Sequence, residues 1–258
     1  MREKIFAANW KMNKTVAETE AFFQEFVNYP GVGRGHGVIV FPPATSLAAV
    51  RGLVGAMPIR WGAQNMYSKD AGAFTGEISG PMIRELGCSH VLIGHSERRE
   101  IFRETDEDIR EKVKAAHKHG LIPMLCVGET LGERKGGQAA DKVVRQLAAA
   151  LQGVPASEAA RTQFAYEPIW AIGTGLNASS ADAQEMCGLV RKQLAQLYSG
   201  ELASGVPVLY GGSVKPENIA EYMLQPDIDG ALIGGASLQP SSFLSIIKNA
   251  MGSRFSAS

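Results

Sequence analysis

Eight short apolar runs recur along the 258-residue chain: "KIFAANW" (4–10), "GVIVF" (37–41), "IRWGAQ" (59–64), "HVLIGH" (90–95), "LIPMLCVG" (121–128), "FAYEPI" (164–169), "VPVLYGG" (206–212) and "GALIGG" (230–235). Helix-like segments lie between them, among them 16–28, 106–119, 138–151 and 181–197, with apolar positions spaced by three and four residues. Continuous apolar strands separated by helices predict a parallel sheet covered on its faces. Eight such units in this length suit a closed (β/α)8 barrel better than a doubly wound sheet. No low-complexity linker or change of composition divides the chain, so one α/β domain over residues 1–258 is expected, with eight parallel strands and no second domain.

Charge narrows the class of partner. The chain carries 26 Lys and Arg against 26 Asp and Glu, a formal net charge of zero, so neither nucleic acid nor an acidic membrane is an expected partner. Ligand recognition must then be local. Cys88, Cys126 and Cys187 are too few and too scattered for a disulfide framework, which fits a reducing compartment. The start "MREKIFAANWKMN" has no apolar core of the signal-peptide kind, and no apolar run approaches the roughly 20 residues that span a bilayer. A soluble, cytoplasmic protein is expected.

In a barrel of this kind the reactive side chains sit at the C-terminal ends of the strands. Here those ends are polar: Asn9 and Lys11 follow the first run, His95 and Glu97 the fourth, and Glu167 the sixth. The seventh and eighth end in glycine pairs, Gly211-Gly212 and Gly234-Gly235. Singly, each has an ordinary reading: Lys as a solvated edge charge, His as a hydrogen-bonded core residue, paired glycines as tight turns. Together, acid/base groups and glycine backbone converging on one face predict a site. Glycine backbone approaches an anion closely, and a phosphate site after the seventh and eighth strands is common in such barrels. Ser96 is expected to cap a short helix starting at "SERRE". His117 and His119, in "HKHG", are expected to complement a helix C-terminus, with Gly120 beyond them. His36, in "GVGRGHG", is expected in a surface loop. The match of 173–178 to G-x-G-x-x-A lies too far from its strand for a dinucleotide fingerprint, and "GHSER" lacks the final glycine of a nucleophile elbow. No metal-ligand cluster and no Walker loop is present in the sequence.

The segments "AANWKMN", "GAQN", "GAFTGEIS", "IGHSERR", "LCVGET", "AYEPIWAIGTG", "YGGSV" and "DGALIGGASL" occur in the order and at the spacing of the triosephosphate isomerase family, which the chain resembles along almost its whole length. The resemblance implies interconversion of dihydroxyacetone phosphate and D-glyceraldehyde 3-phosphate through an enediolate, in glycolysis and gluconeogenesis, with no cofactor and no metal. It makes Glu167 the base, His95 a neutral electrophile, Lys11 and Asn9 the polar floor and Glu97 a supporting catalytic residue. Asn9, Lys11, Gly173, Ser213, Gly234 and Gly235 become the substrate and phosphate contacts. Pro168, Ile169, Trp170, Ala171, Ile172, Gly173, Thr174, Gly175, Leu176, Asn177 and Ala178 form a lid. Closure is held by the Tyr210 hydroxyl on the Ala178 backbone and the Ser213 hydroxyl on the Gly175 backbone. The long stretch 65–80 exceeds an ordinary connection and reads as a functional loop. By resemblance its Thr75 reaches a second copy, so a homodimer is implied. Where the family usually continues with Lys-Thr-Ala, this chain has Leu176-Asn177-Ala178, which implies altered hinge motion. Two rival readings are another phosphosugar isomerase or lyase, which would not need His95, Lys11 and Glu167 at these three tips, and a non-catalytic phosphate-binding barrel, which would be expected to have lost one of them.

Overall fold

The structure, a computed structural model, describes residues 2–29, 31–55, 57–172 and 177–252. Strands β1 (Ile5–Asn9), β2 (Gly37–Phe41), β3 (Ile59–Ala63), β4 (His90–Ile93), β5 (Ile122–Val127), β6 (Gln163–Tyr166), β7 (Val208–Tyr210) and β8 (Gly230–Ile233) close in sequence order into a (β/α)8 barrel. Every neighbouring pair is parallel, and β1 seals the ring by pairing Ile5 with Gly37 on one side and Gly230 on the other. The sequence runs extend past these strands because their last residues turn out of the ladder to form the upper rim.

Because side chains alternate in a strand, one parity fills the barrel and the other meets the helices. Ile5 and Ala7 of β1, Ile39 and Phe41 of β2, Met124 and Cys126 of β5, Ala165 of β6, Leu209 of β7 and Leu232 of β8 form one buried inner cluster. Phe6, Ala8, Val38, Val40, Phe164, Tyr166, Val208, Ala231 and Ile233 belong to the larger cluster under the helices. There Trp10 meets Phe22 edge to face at 4.8 Å, and Phe26 stacks on Phe243 at 5.5 Å. Aromatic pairs of this kind add roughly 0.5–1.5 kcal/mol beyond the area they bury.

The helices start where the sequence supplies caps. Thr15 with Glu18, Thr105 with Asp108 and Ser179 with Asp182 form capping boxes at the heads of Val16–Phe26, Asp106–Lys118 and Ser180–Leu197. Among the described residues no helix is long and apolar enough to cross a membrane. At the lower rim the buried Asp229 carboxylate binds the barrel's seam. It accepts from Arg2 Nε at 2.8 Å, from Arg191 Nη2 at 2.9 Å and from the Val208 N–H at 3.1 Å. Removing one partner from such a buried set costs on the order of 3–5 kcal/mol.

Two histidines differ from their sequence expectations. His36 is buried, edge-on to Phe6 at 5.8 Å with Nδ1 2.9 Å from Arg34 O, and so is not a surface loop residue. His117 is buried with Nε2 3.0 Å from Thr162 Oγ1, and burial lowers its pKa to about 4, so it brings no positive charge to the helix end. His119 holds the C-cap position as expected, and its Nε2 also lies 2.7 Å from Asp70 Oδ1, tying the long 65–80 loop to this helix. Helical periodicity reports which face a residue occupies but not what the neighbouring elements bring to it.

The buried histidines make stability depend on pH in a definite direction. Burial also lowers the His90 pKa, to about 3. A histidine whose folded pKa lies below the unfolded value of about 6.5 contributes stability that is present above that value and lost as pH falls toward the folded pKa. The urea midpoint is therefore expected to fall between pH 6.5 and pH 4, the latter being the value for His117. In His117→Gln the fall across this window becomes shallower. An unchanged slope would place the responsible titration elsewhere.

Candidate active site

The alternation that fills the barrel also aims its rim. Asn9 continues the inward parity of Ile5 and Ala7, and Glu167 that of Gln163 and Ala165. Gly211 and Gly234 stand in the same register to Leu209 and Leu232. They meet around a cavity of about 270 Å³ that also holds Lys11, His95, Ser213 and Gly235. The Glu167 N–H donates to Val127 O at 2.7 Å and the Gly211 N–H to Tyr166 O at 2.7 Å, so the backbone beneath the carboxylate is rigid. A Cβ on Gly211 would lie 2.9 Å from Glu167 Cγ, so here glycine makes room for the carboxylate's own stem.

His95 reaches the site by a different route. Gly94, at φ +73°, turns the chain out of β4, and His95 becomes the N-cap of the short helix Ser96–Glu100. The cap is His95 and not Ser96, contrary to the sequence expectation: the Glu97 N–H donates to His95 Nδ1 at 3.2 Å. Ser96 instead gives its N–H to Glu167 Oε2 at 2.9 Å. With Nδ1 accepting, the neutral ring carries its proton on Nε2, which lies 3.0 Å from Glu167 Oε1.

The pair perturbs both groups. Burial raises the Glu167 pKa, while His95, the Ser96 N–H and Lys11 pull it down, and the balance lies below the ordinary carboxylate value. For His95, burial disfavours the imidazolium and the facing carboxylate favours it, with the balance upward. That upward pull lasts only while the two side chains touch. The Glu97 N–H on Nδ1 works the other way, since an imidazolium would have to give that bond up.

Lys11 is held in a strained conformation, with φ +53°, a region that costs a non-glycine residue about 1–2 kcal/mol. Its N–H donates to Asn9 Oδ1 at 3.0 Å, its carbonyl accepts from Gln64 Nε2 at 2.8 Å, and its ammonium donates to Glu97 Oε1 at 2.7 Å. Gln64 also donates to Phe41 O at 2.9 Å and so ties this turn to β2. The Lys11 stem passes Gly234, where a Cβ would stand 3.5 Å from Lys11 Cε. Glu97 is thus the counter-ion of Lys11 and is outside the 270 Å³ cavity, bordering a neighbouring one of about 360 Å³.

Of the expected lid, Gly173, Thr174, Gly175 and Leu176 lie outside the described residues, and with them the phosphate contact of Gly173 and the Ser213 to Gly175 bond. The entry hinge is built on Glu129, a buried carboxylate that accepts from Tyr166 Oη at 3.0 Å and from Trp170 Nε1 at 2.9 Å. Burial raises its pKa against the pull of those donors. Pro168 precedes a 3-10 turn over Ile169–Ala171, and Ile172 faces the cavity. At the exit, Asn177 is exposed and Ala178 buried. The tyrosine that binds Ala178 O is Tyr222, at 2.6 Å, and not Tyr210. The Tyr210 ring stacks on Tyr222 at 4.3 Å, and its hydroxyl lies beside Ala178 without the geometry of a hydrogen bond. Glu129 and Gln64 were not among the sequence candidates, although "LCVGET" and "GAQN" both follow strand runs and so carry the positional signal. Tyr222 had none. Thr75 is exposed on the 65–80 loop and does not line the 270 Å³ cavity. Among the described residues no group of His, Cys, Asp and Glu is placed to hold a metal ion.

A family model described as triosephosphate isomerase matches residues 4–250. A triosephosphate isomerase of Symbiobacterium thermophilum is 50% identical over 254 residues, covering 98% of this chain and 99% of that protein. One from Chloroflexus aurantiacus is 52% identical over 247 residues, covering 96% and 99%, and one from Dictyoglomus thermophilum is 47% identical over 249 residues, covering 96% and 100%.

The packing of Gly211 against the carboxylate stem gives a test of the geometry. Gly211→Ala pushes Glu167 off its position, and a misplacement near 1 Å costs on the order of a hundredfold in rate for any reaction that uses it. Far-UV circular dichroism should be unchanged. Full activity with the alanine in place would mean that the position of Glu167 does not matter.

Proposed function

The chain belongs to the triosephosphate isomerase family and interconverts dihydroxyacetone phosphate and D-glyceraldehyde 3-phosphate, and we propose that Glu167, His95 and Lys11 carry the reaction. The supporting observation is the 3.0 Å approach of Glu167 Oε1 to His95 Nε2 at the edge of a cavity that also holds Lys11 and the glycine pairs. Substrate enters between the two side chains. Glu167 leaves the Ser96 N–H and takes a proton from the carbon beside the carbonyl. The electrons move onto the carbonyl oxygen, which takes the His95 Nε2 proton; His95 Nε2 then takes the hydroxyl proton from the neighbouring oxygen, which becomes the new carbonyl, as Glu167 returns its proton to the adjacent carbon. Lys11, fixed by its strained turn, opposes the developing negative charge, an effect that grows as water is excluded. Asn9 holds Lys11 and faces the same oxygens, and Glu97 orients His95 through its N–H. Gly173, Ser213, Gly234 and Gly235 hold the phosphate, and the lid Pro168–Ala178 closes over it.

We further propose a cytoplasmic homodimer. Thr75 and Phe74 are exposed on the 65–80 loop, and the 360 Å³ cavity beside Lys11, His95 and Glu97 opens next to the exposed side chains Met12 and Phe102. A second copy's loop seated there would cover the apolar surface and buttress Lys11 and Glu97 from outside.

A coupled assay, in which reduction of dihydroxyacetone phosphate is followed through a nicotinamide cofactor, tests the reaction. Glu167→Asp, one methylene shorter, should lose roughly a hundredfold in kcat with little change in stability. Wild-type kcat in that variant would remove Glu167 from the mechanism. Thr75→Arg should shift sedimentation to the monomer and reduce kcat severely. A fully active monomer would refute the shared site.

A further inference from the structure

Lys215 borders the 270 Å³ cavity at its glycine-rich end, beside Ser213, Gly234 and Gly235. Its backbone is fixed: the Lys215 N–H donates to Asn218 Oδ1 at 2.8 Å, and Asn218 Nδ2 donates to Ser213 O at 3.1 Å. The residue is exposed, and among the described residues its ammonium makes no hydrogen bond or ion pair, with the following Glu217 and Glu221 included. Every other charge at the cavity is committed. The Lys11 ammonium is matched by Glu97 at 2.7 Å, and Glu167 faces His95 at 3.0 Å. The chain as a whole has a formal net charge of zero and so provides no bulk attraction for an anion.

A dianionic substrate thus approaches a site whose other charged groups already have partners, with Lys215 at the end lined by Ser213, Gly234 and Gly235. We infer that Lys215 is an electrostatic guide for the phosphate end of the substrate, a mouth cation that attracts the phosphate during capture and takes no part in the proton transfers. This rests on the isomerase reading and adds to it a residue that sets preference for a phosphorylated over an uncharged triose. A solvent-exposed charge acts over roughly 8–10 Å at moderate salt, far enough to cover the glycine-lined end of so small a cavity. Charged mouths raise capture rates at low ionic strength and lose the advantage as salt increases.

The test compares wild type, Lys215→Gln and Lys215→Arg on D-glyceraldehyde 3-phosphate across ionic strengths from about 0.02 to 0.5 M, and on unphosphorylated D-glyceraldehyde. In Lys215→Gln, kcat/KM for the phosphorylated substrate should fall roughly three- to tenfold at low salt, with the difference gone at the highest salt. The change should lie in KM, with kcat within about twofold, and Lys215→Arg should restore the wild-type value. Turnover of D-glyceraldehyde should be unaffected. A wild-type salt dependence in Lys215→Gln would overturn the inference, as would an equal loss on D-glyceraldehyde, which would mark a role in shape. Absence of isomerisation in the wild type would overturn the isomerase reading itself, and this inference with it.

Discussion

The two-residue alternation of a closed parallel barrel governs everything above it. Closure fixes which parity of each strand points inward, and β1 pairing with both β2 and β8 leaves no edge through which the register can slip. Apolar side chains, from Ala7 and Ala165 to Phe41 and Met124, fill the interior to its upper layer. The next inward positions, Asn9, Glu167, Gly211 and Gly234, can only face the mouth. A buried strand ends in a carboxylate here for a geometric reason: position 167 is the first inward place on β6 where a charge meets a cavity instead of a packed core.

Holding that carboxylate costs solvation, and its partners compensate without neutralising it for good. Glu167 accepts from the Ser96 N–H and faces the Nε2 of His95, both contacts that a substrate can replace. His95 is fixed from its other nitrogen by Glu97 N–H, so the ring keeps its orientation when Glu167 moves. Lys11 stores strain in its left-handed backbone and is clamped by Asn9, Gln64 and Glu97. Strain of this kind persists where surrounding structure over-determines the residue, and here it aims one ammonium. The fixed parts are held by strand ends, a helix cap and a strained turn, and the adjustable part, Glu167, is a side chain on a fixed stem.

The barrel was legible in the sequence because strand runs and helix caps are local signals. Thr15 with Glu18 and Ser179 with Asp182 act as their spacing implies. The site residues were legible as strand tips, and Asn9, Lys11, His95 and Glu167 do border one cavity. What was not legible depends on distant partners. His36 and His117 are buried by Phe6 and Thr162, which the local pattern around them does not contain. The cap at His95 follows from the turn at Gly94 and not from the serine that usually takes that role. Tyr222 binds the lid's exit because the turn before it places it against Ala178, a contact spanning 44 positions. Glu129 shows the opposite case, a strand-tip carboxylate visible in sequence whose burial under Trp170 made it a hinge support.

The central claim is that Glu167 moves a proton between the two carbons of the bound triose. Proton NMR of dihydroxyacetone phosphate turnover in deuterated water, with wild type and Glu167→Gln at equal concentration, reads this without a coupling enzyme. The account predicts deuterium on the substrate carbon and on the adjacent carbon of the product with wild type, and no exchange above the uncatalysed rate with the amide, which cannot accept the proton. Exchange at the wild-type rate in Glu167→Gln would contradict it.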